Sequence, residues 1–474
     1  MPIDDFIKVS EMNSLHSRTT SSVSKALSRS AFAALLFFAL AEIAPAQINC
    51  GAGSTAPSAS LACLTEVSLT PTGFLRPSPV QPAASTTFSP NTLTFLSGDI
   101  GAEVSQIPLA SPASGIIYTN NPVTQLPERL NQSFGPILTQ RAQTIGRHNW
   151  YFATTYQYFL LQDIDSQALR NTGAVIYLNS PNNTISNSSA PDFAGVSNNV
   201  LQLKVHQFVG YVTYGLASRV DVSIAVPLLR VDLRDTFNES FVHNPNSPCP
   251  TAGCPTTPPN QSGSRAGEAT GIGDVVLAAK AIVWKLRRAD KDHGGFSLGV
   301  EVRLPSGDSH DFLGSGAIGA KPFATLSYAG RVSPHFNIGY QFNGKTDLIS
   351  VVNSNGTLQK GSLPDRLIYS GGVDFALFKK LTVNLDGIAQ HVYDAQRATL
   401  LPAGTQLFSS GTSIQTGIPV VQPVTGSYNR GDAAGGIKWN PFKGLLVSGN
   451  ISVKLNQAGL RSRLVPLMGA SYTF

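Results

Sequence analysis

The sequence predicts an all-β fold: an antiparallel up-and-down transmembrane β-barrel of about twelve strands, with 14 as the alternative strand number. Three observations predict it. Apolar and polar residues alternate in segments of about nine to thirteen residues, the length that a tilted strand needs to cross a bilayer. Short and long connections alternate between these segments. Charged residues make up only 13% of the chain, yet no run of about 18 apolar residues follows the N-terminal segment.

The clearest pattern lies in residues 464–474. Every second residue there is apolar or aromatic, which gives one apolar face to a strand with a period of two. The residues of this face are Leu464, Pro466, Met468, Ala470, Tyr472 and Phe474. The segment resembles the C-terminal signal of bacterial outer-membrane barrels, in which Tyr472 and Phe474 would be read by the insertion machinery. An ordinary edge strand that ends in Phe is the alternative.

The first 46 residues have the order of features expected of a secretory signal peptide. Lys25 and Arg29 precede the apolar run 31–41, and a small-x-small cleavage site at 44–46 predicts a mature start at Gln47. We therefore expect a protein exported to the outer membrane of a Gram-negative-type cell. The net charge of +6 comes from scattered Lys and Arg, so there is no basic stripe that would indicate nucleic-acid binding.

The mature chain divides by composition into two parts. Residues 47–146 are rich in Ser, Thr, Pro and Gly, and they predict an N-terminal extension, a plug or an extra hairpin. Residues 147–474 predict the barrel. Short connections would face the periplasm, long ones the exterior, and both chain ends the periplasm. The predicted strands are 148–162, 201–216, 220–234, 274–286, 296–304, 322–329, 335–343, 366–377, 381–393, 432–440, 445–456 and 464–474.

One predicted strand, 220–234, changes its pattern at Pro227. Even-numbered residues are apolar before the proline, and the odd-numbered residues from Leu229 to Leu233 are apolar after it. Proline lacks an N–H group, and a β-bulge adds one residue to a strand. We therefore predict a bulge at Pro227 that shifts the phase of the strand.

Polar and charged residues occupy the face opposite the apolar one in several predicted strands, and in a barrel that face lines the lumen. The proposed lumen-lining residues are Lys204, His206, Glu301, Arg303, Arg366, Asp374, Asn384, Asp386, Gln390, Asp432, Lys438 and Lys454, with Lys280 as a further candidate. A channel lined by both signs of charge is one interpretation, and a filled interior whose ion pairs satisfy one another is the other. The opposite faces, which include Val300 and Ile451, would then meet lipid.

Two of the four cysteines predict a disulfide. Cys249 and Cys254 flank a turn-forming Pro-Thr-Ala-Gly segment in a long loop, and an oxidising compartment favours their pairing. Zinc binding is the alternative, but no second Cys pair or His pair lies nearby. Whether Cys50 and Cys63 pair is left open, and no cofactor is expected.

Several segments resemble the outer-membrane barrels grouped as the meta-pathway phenol-degradation family. These segments are 216–230, which contains Ala-Ser-Arg-Val-Asp, 271–280, which opens on Gly-Ile-Gly-Asp, and 298–308 with 313–316, which contain Leu-Pro-Ser-Gly-Asp and Leu-Gly-Ser-Gly. The resemblance covers about residues 133–474. The family is loosely similar in role to the FadL/TodX channels for hydrophobic compounds.

The resemblance implies an outer-membrane transporter and supplies no catalytic residues. The expected function is a porin-like channel for small hydrophobic or aromatic compounds that cross by passive diffusion. A structural barrel with a filled lumen is the alternative. An outer-membrane hydrolase is a further one, but His310 near Asp308 and His391 near Asp394 lack a nucleophile signature, so no enzyme is predicted. The expected partners are outer-membrane lipid and lipopolysaccharide, the insertion machinery and a small-molecule substrate, while the oligomeric state is left open.

Overall fold

The computed structural model describes most of the predicted barrel and parts of the segment before it. The described residues are 61, 92–109, 118–120, 127–129, 133–178, 193–243, 260–288, 291–352, 358–401, 420–442 and 444–473. The predicted signal peptide, the four cysteines and Phe474 lie outside these residues, and their predictions stay as stated.

Strands dominate the described part of the chain. One α-helix, α1 (Thr92–Val104), precedes them, and a 3₁₀ turn covers Leu169–Asn171. The strands are β1 (Tyr118–Asn120), β2 (Pro127–Arg129), β3 (Trp150–Ile164), β4 (Gln167–Ala168), β5 (Thr172–Leu178), β6 (Phe193–Ala217), β7 (Val220–His243), β8 (Gln261–Ile272), β9 (Val276–Arg288), β10 (Lys291–Arg303), β11 (Gly319–Tyr328), β12 (Val332–Asn343), β13 (Lys345–Val352), β14 (Leu358–Ser362), β15 (Arg366–Phe378), β16 (Leu381–Leu401), β17 (Val420–Trp439), β18 (Leu445–Lys454), β19 (Leu460–Ser462) and β20 (Leu464–Thr473).

Twelve of these strands form a closed antiparallel barrel. The ring order is β3, β6, β7, β9, β10, β11, β12, β15, β16, β17, β18 and β20, and β20 pairs with β3 to close it. Each of the twelve predicted strands overlaps one strand of this ring. The predicted fold class and the strand number of twelve are therefore confirmed, and the alternative of 14 is wrong.

The pleat of each strand separates an apolar outer face from an inner face that is mostly polar near the short turns. Val300 and Ile451 are 41% and 50% exposed on the outer face, as their strand patterns predict, and Trp284 and Trp439 are exposed near strand ends. An apolar band with aromatic residues at its edges is the outer surface of a membrane barrel. No helix in the described part of the chain is long and apolar enough to cross a bilayer.

Strand β7 corrects the predicted bulge at Pro227. The pairing of β6 with β7 runs without a register shift through Val209 and Pro227, so β7 keeps its phase. The extra residue lies in the neighbouring wall instead, where Gly273–Val275 separate β8 from β9 opposite Val226 and Pro227. The proline needs no N–H partner, and its carbonyl accepts a 2.8 Å bond from Gly273.

The pattern of β7 changes because the surroundings of its two faces change. Towards the short turns, Val222 and Leu228 point to lipid. Towards the long loops, Val231 is fully buried inside the barrel, while Arg230 on the outer face is exposed. The four strands next to the longest loops, β6, β7, β16 and β17, have 25, 24, 21 and 20 residues. They are longer than a bilayer requires, so these four strands extend beyond the bilayer on the side of the long loops.

Candidate functional site: the closed lumen

The structure separates the twelve proposed lumen residues into two groups. Lys204 and His206 lie on the outer face of β6, because their neighbours Leu203 and Val205 are fully buried inside the barrel. Their lumen assignment is wrong. The apolar face of this part of β6 meets an internal core, whereas the sequence pattern was interpreted as facing lipid. The other ten residues and Lys280 lie on the inner face.

The end of the barrel with the short turns is crossed inside by residues 133–149, which we name the strap. On one side, the buried Lys280 ammonium donates 3.0 Å hydrogen bonds to the carbonyl oxygens of Arg141 and Gln143. The Ile145 amide donates to the Asp221 carboxylate at 3.0 Å. The wall therefore holds the main chain of the strap with one charged donor and one charged acceptor, which form stronger bonds than neutral groups do.

The opposite wall holds the beginning of the strap in the same way. Lys438 donates to the Pro136 carbonyl at 2.5 Å, and the Asn384 side-chain amide donates to the Gly135 carbonyl at 2.9 Å. Asn384 also donates to Asp374 at 2.7 Å. Lys438 and Asn384 were both predicted from the sequence to face the lumen. They do so, but they bind the protein's own backbone.

A buried cluster fixes the middle of the strap. The Thr139 hydroxyl and an Asp386 carboxylate oxygen lie 2.8 and 2.7 Å from the same ring nitrogen, Nε2 of His335. In a catalytic triad the nucleophile and the acid contact opposite nitrogens of the histidine. Asp374 is 3.8 Å from the other nitrogen, which is too far for a hydrogen bond. The cluster therefore serves to hold the strap and lacks the geometry of a triad.

The end of the barrel with the long loops is filled around α1, which we name the plug helix. Its Ile100 and Val104 pack in an apolar core with Leu203 and Val231 from the wall and Phe312 from the connection between β10 and β11. These residues are at most 2% exposed. Burial of this surface is the main force that keeps the plug helix inside the barrel.

The charged end of the plug helix is held by two arginines of the wall. Glu103 accepts 3.1 Å bonds from Arg366 and from Arg430 and a 2.6 Å bond from the Tyr428 hydroxyl. Burial by itself would raise the pKa of the Glu103 carboxyl, but Arg366 and Arg430 hold that pKa below its ordinary value. Glu103 therefore keeps its charge, and Gln390 contacts the other side of Arg366 at 3.3 Å.

A cavity of about 260 Å³ lies between the strap and the plug helix. It is lined by side chains from both segments and from the inner faces of many barrel strands. Its charged lining groups are paired, as Lys321 is with Glu301 and Arg303 is with Asp274, 3.6 Å away. Asp432 likewise accepts a 2.7 Å bond from Arg461. Outside the cavity lining, Lys454 pairs with Asp163.

No group of three His, Cys, Asp or Glu side chains that could hold a metal ion occurs among the residues that the structure describes. A plug was one of the three alternatives for residues 47–146, but neither the helix Thr92–Val104 nor the strap was predicted. The strap contains Gly135 and Gly146 at positive φ angles of 79° and 91°, so its sequence reads as a loop. Among its partners in the wall, Asp221 lies 76 positions from Ile145 and Lys438 lies 304 positions from Phe134, and no local pattern reports such contacts.

Removing the Lys280 ammonium should loosen the strap and leave the barrel folded. Lys280→Met keeps the length of the side chain but removes two charge-assisted hydrogen bonds, which we expect to lower the free energy of local opening by about 2–3 kcal/mol. Hydrogen exchange of the strap amides at 141–146 should become about 100-fold faster. Lys204→Met, on the outer face, is the matched control. Equal exchange in the two variants would show that Lys280 does not hold the strap.

The middle of the chain matches a known protein family. Residues 178–362 match the profile of the family described as "Putative MetA-pathway of phenol degradation". The resemblance stated from the sequence is confirmed over these residues. They include β6 to β13 and thus the part of the wall that contains the break at Gly273–Val275. No curated protein sequence matches the chain.

Three solved outer-membrane structures align with most of this chain. An outer membrane channel from Pseudomonas putida F1 is 11% identical with a TM-score of 0.37, and the alignment covers 70% of this chain and 98% of that one. A FadL homologue from Pseudomonas aeruginosa is 10% identical with a TM-score of 0.29, covering 76% and 94%. A monoaromatic hydrocarbon channel, CymD, is 9% identical with a TM-score of 0.28, covering 69% and 89%.

Proposed function

We propose that this barrel is an outer-membrane channel through which small hydrophobic or aromatic compounds diffuse passively. The observation that carries the proposal is the cavity between the strap and the plug helix. Its volume of about 260 Å³ exceeds the roughly 150 Å³ of an engineered protein cavity that binds benzene. A barrel that served only as a scaffold would have no need of such a space. The match to the phenol-degradation family also supports the proposal.

We propose further that the strap and the plug helix close the route through the cavity at its two ends. Passage therefore requires that at least one of them moves. Both are held by discrete contacts with the wall and are not strands of it, so either can move while the ring of twelve strands stays closed. We propose that the strap is the gate on the periplasmic side, because a few charged side chains of the wall fix its main chain, among them Lys280, Lys438 and Asp221.

A structural barrel with a filled lumen is the second candidate. The extensive burial of the strap and the plug helix favours it, since Phe134 and Ile145 of the strap are both 1% exposed. The two candidates differ in one measurable property, which is permeability. Export by a cleaved signal peptide, insertion guided by Tyr472 and Phe474, and contact with lipopolysaccharide remain part of the proposal for both.

Flux measurements on the purified full chain in liposomes test the channel. We expect the wild type to give small solute-dependent conductance or swelling, and the Lys280→Met/Lys438→Met double variant to increase it at least about tenfold, because the gate opens more often. The single variant Lys204→Met, on the outer face, should behave as wild type. If all three proteins are as impermeable as empty liposomes while the exchange of the strap has increased, the filled structural barrel is the better account.

A further inference from the structure

Unpaired polar groups face the cavity from one wall of the barrel. Gln157 on β3 and Gln207 on β6 are direct neighbours in the strand register, and each is only 3% exposed. Neither amide oxygen has a hydrogen-bond partner among the described residues. Buried side-chain amides are nearly always paired, because an unpaired one loses its hydration without a replacement. Two such amides side by side on a cavity wall indicate a ligand group that pairs with them.

A second set of unpaired groups lies on the opposite wall. The Asn337 amide nitrogen on β12 and the Arg366 Nε on β15 lack partners in the described structure, and both side chains line the cavity. Strands β7, β9, β10 and β11 separate the two sets on one side of the ring, and β16, β17, β18 and β20 separate them on the other. The two sets of unpaired polar groups therefore face the cavity from opposite walls.

Apolar side chains line the cavity between the two sets of unpaired polar groups. Leu138 of the strap and Phe159, Phe323 and Ile388 of the wall line the cavity. These groups favour an apolar middle part of a ligand, since contact with it removes apolar surface from water. A pocket that is largely apolar with a few placed polar groups is the usual form of a small-molecule site.

Charge complementarity argues against an ionic ligand. The charged lining groups already have partners of opposite sign, which are Glu301 for Lys321, Asp274 for Arg303 and Glu103 for Arg366. A charged ligand would have to break one of these pairs or enter without a counter-charge, and both are unfavourable at a buried site.

We propose that the cavity binds a compact, uncharged molecule with an apolar middle and a hydroxyl group at each end. A hydroxyl both donates and accepts, so it pairs with a side-chain amide in either orientation of that amide. The proposal rests on the proposed channel function and names the class of substrate that the channel selects.

Calorimetry on the purified full chain in detergent tests the proposal with three probes of similar shape. Hydroquinone carries a hydroxyl at each end of its ring, p-xylene a methyl, and terephthalate a carboxylate. We expect hydroquinone to bind at least about tenfold more tightly than either of the others, because only its uncharged hydroxyl groups can pair with the unpaired polar groups without breaking an ion pair. Equal or tighter binding of p-xylene or of terephthalate overturns the proposal.

Two variants locate the binding site. Gln157→Met and Gln207→Met should each weaken hydroquinone binding about fivefold, the effect of one neutral hydrogen bond, and should tighten p-xylene binding. Gln202→Met, on the outer face of β6, is the control that should change neither. Unchanged hydroquinone binding in both folded variants overturns the site. If a variant fails to fold, the comparison of probes on the wild type still decides.

The binding test and the permeability test can fail independently of each other. Liposomes that conduct while hydroquinone does not bind in the cavity overturn the substrate class and leave the channel standing. Impermeable liposomes together with no binding of any probe overturn both proposals.

Discussion

Replacing Glu103 by alanine is expected to loosen the plug helix at its charged end. The change leaves Arg366, which is 2% exposed, and the nearby Arg430 without their shared carboxylate. Breaking a buried ion pair by removing one partner is unfavourable by about 3–5 kcal/mol, because the remaining charge is buried without compensation. Hydrogen exchange of the amides at 98–104 should become more than about 100-fold faster, with larger conductance fluctuations in planar bilayers.

An exposed ion pair of similar length is the control for this prediction. Arg230 and Glu268 approach within 2.6 Å on the outer face, but their side chains are 51% and 66% exposed. Pairs of this kind contribute at most about 1 kcal/mol, so Glu268→Ala should leave the exchange of the plug helix and the conductance unchanged. If Glu103→Ala is equally silent, the apolar core alone holds the plug helix, and the arginines are not its anchor.

The second large effect concerns the outer face. Val300→Arg and Ile451→Arg should each destabilise the folded barrel by about 2–4 kcal/mol, because both positions face lipid near the middle of the apolar band. Refolding into lipid vesicles, followed by urea titration and the heat-dependent shift in gel mobility, measures this. The same substitution at Thr236, which is exposed on the long-loop side of β7, should have an effect of less than about 1 kcal/mol.

The comparison with inward residues completes that test. Arg303→Ala and Lys454→Ala should leave a barrel that still assembles in vesicles, with altered conductance or ion selectivity. Normal assembly of Val300→Arg and Ile451→Arg, together with failure of the two alanine variants, would mean that the apolar band does not lie in the bilayer.

The sequence predicted the ring of strands because each strand carries its own period of two, and that period is a local property. The same rule failed for Lys204 and His206. An apolar face shows that a strand is buried on one side, but not whether lipid or an internal core covers that side. The predicted bulge at Pro227 was wrong for the same reason. The residues that cover the two faces of β7 change along the strand, and in the sequence this change looks like a shift of phase. A local pattern cannot distinguish an apolar face covered by lipid from one covered by an internal core, unless the length of the strand beyond the bilayer is known.

The contents of the lumen were less predictable than the wall. Arg366, Lys438 and Asn384 were predicted to point inward, and they do. Their partners, Glu103, Pro136 and Gly135, are separated from them by 249 to 302 positions in the chain, and two of those partners offer only a backbone carbonyl. Backbone groups are the same in every residue. No sequence pattern therefore marks the residues that such a lysine or asparagine binds.

The way in which the strap is held has a consequence for how this protein can change over generations. Lys280, Lys438 and Asn384 bind main-chain oxygens, and these oxygens persist whatever side chains the strap carries. Strap residues that point into the cavity, such as Leu138 and Gln140, are thus free to be exchanged without loss of the closure. Substitutions at those positions can change which compounds pass, while the contacts between the wall and the main chain of the strap stay the same. Relatives with different strap sequences should therefore share one closing mechanism and differ in the compounds that they admit.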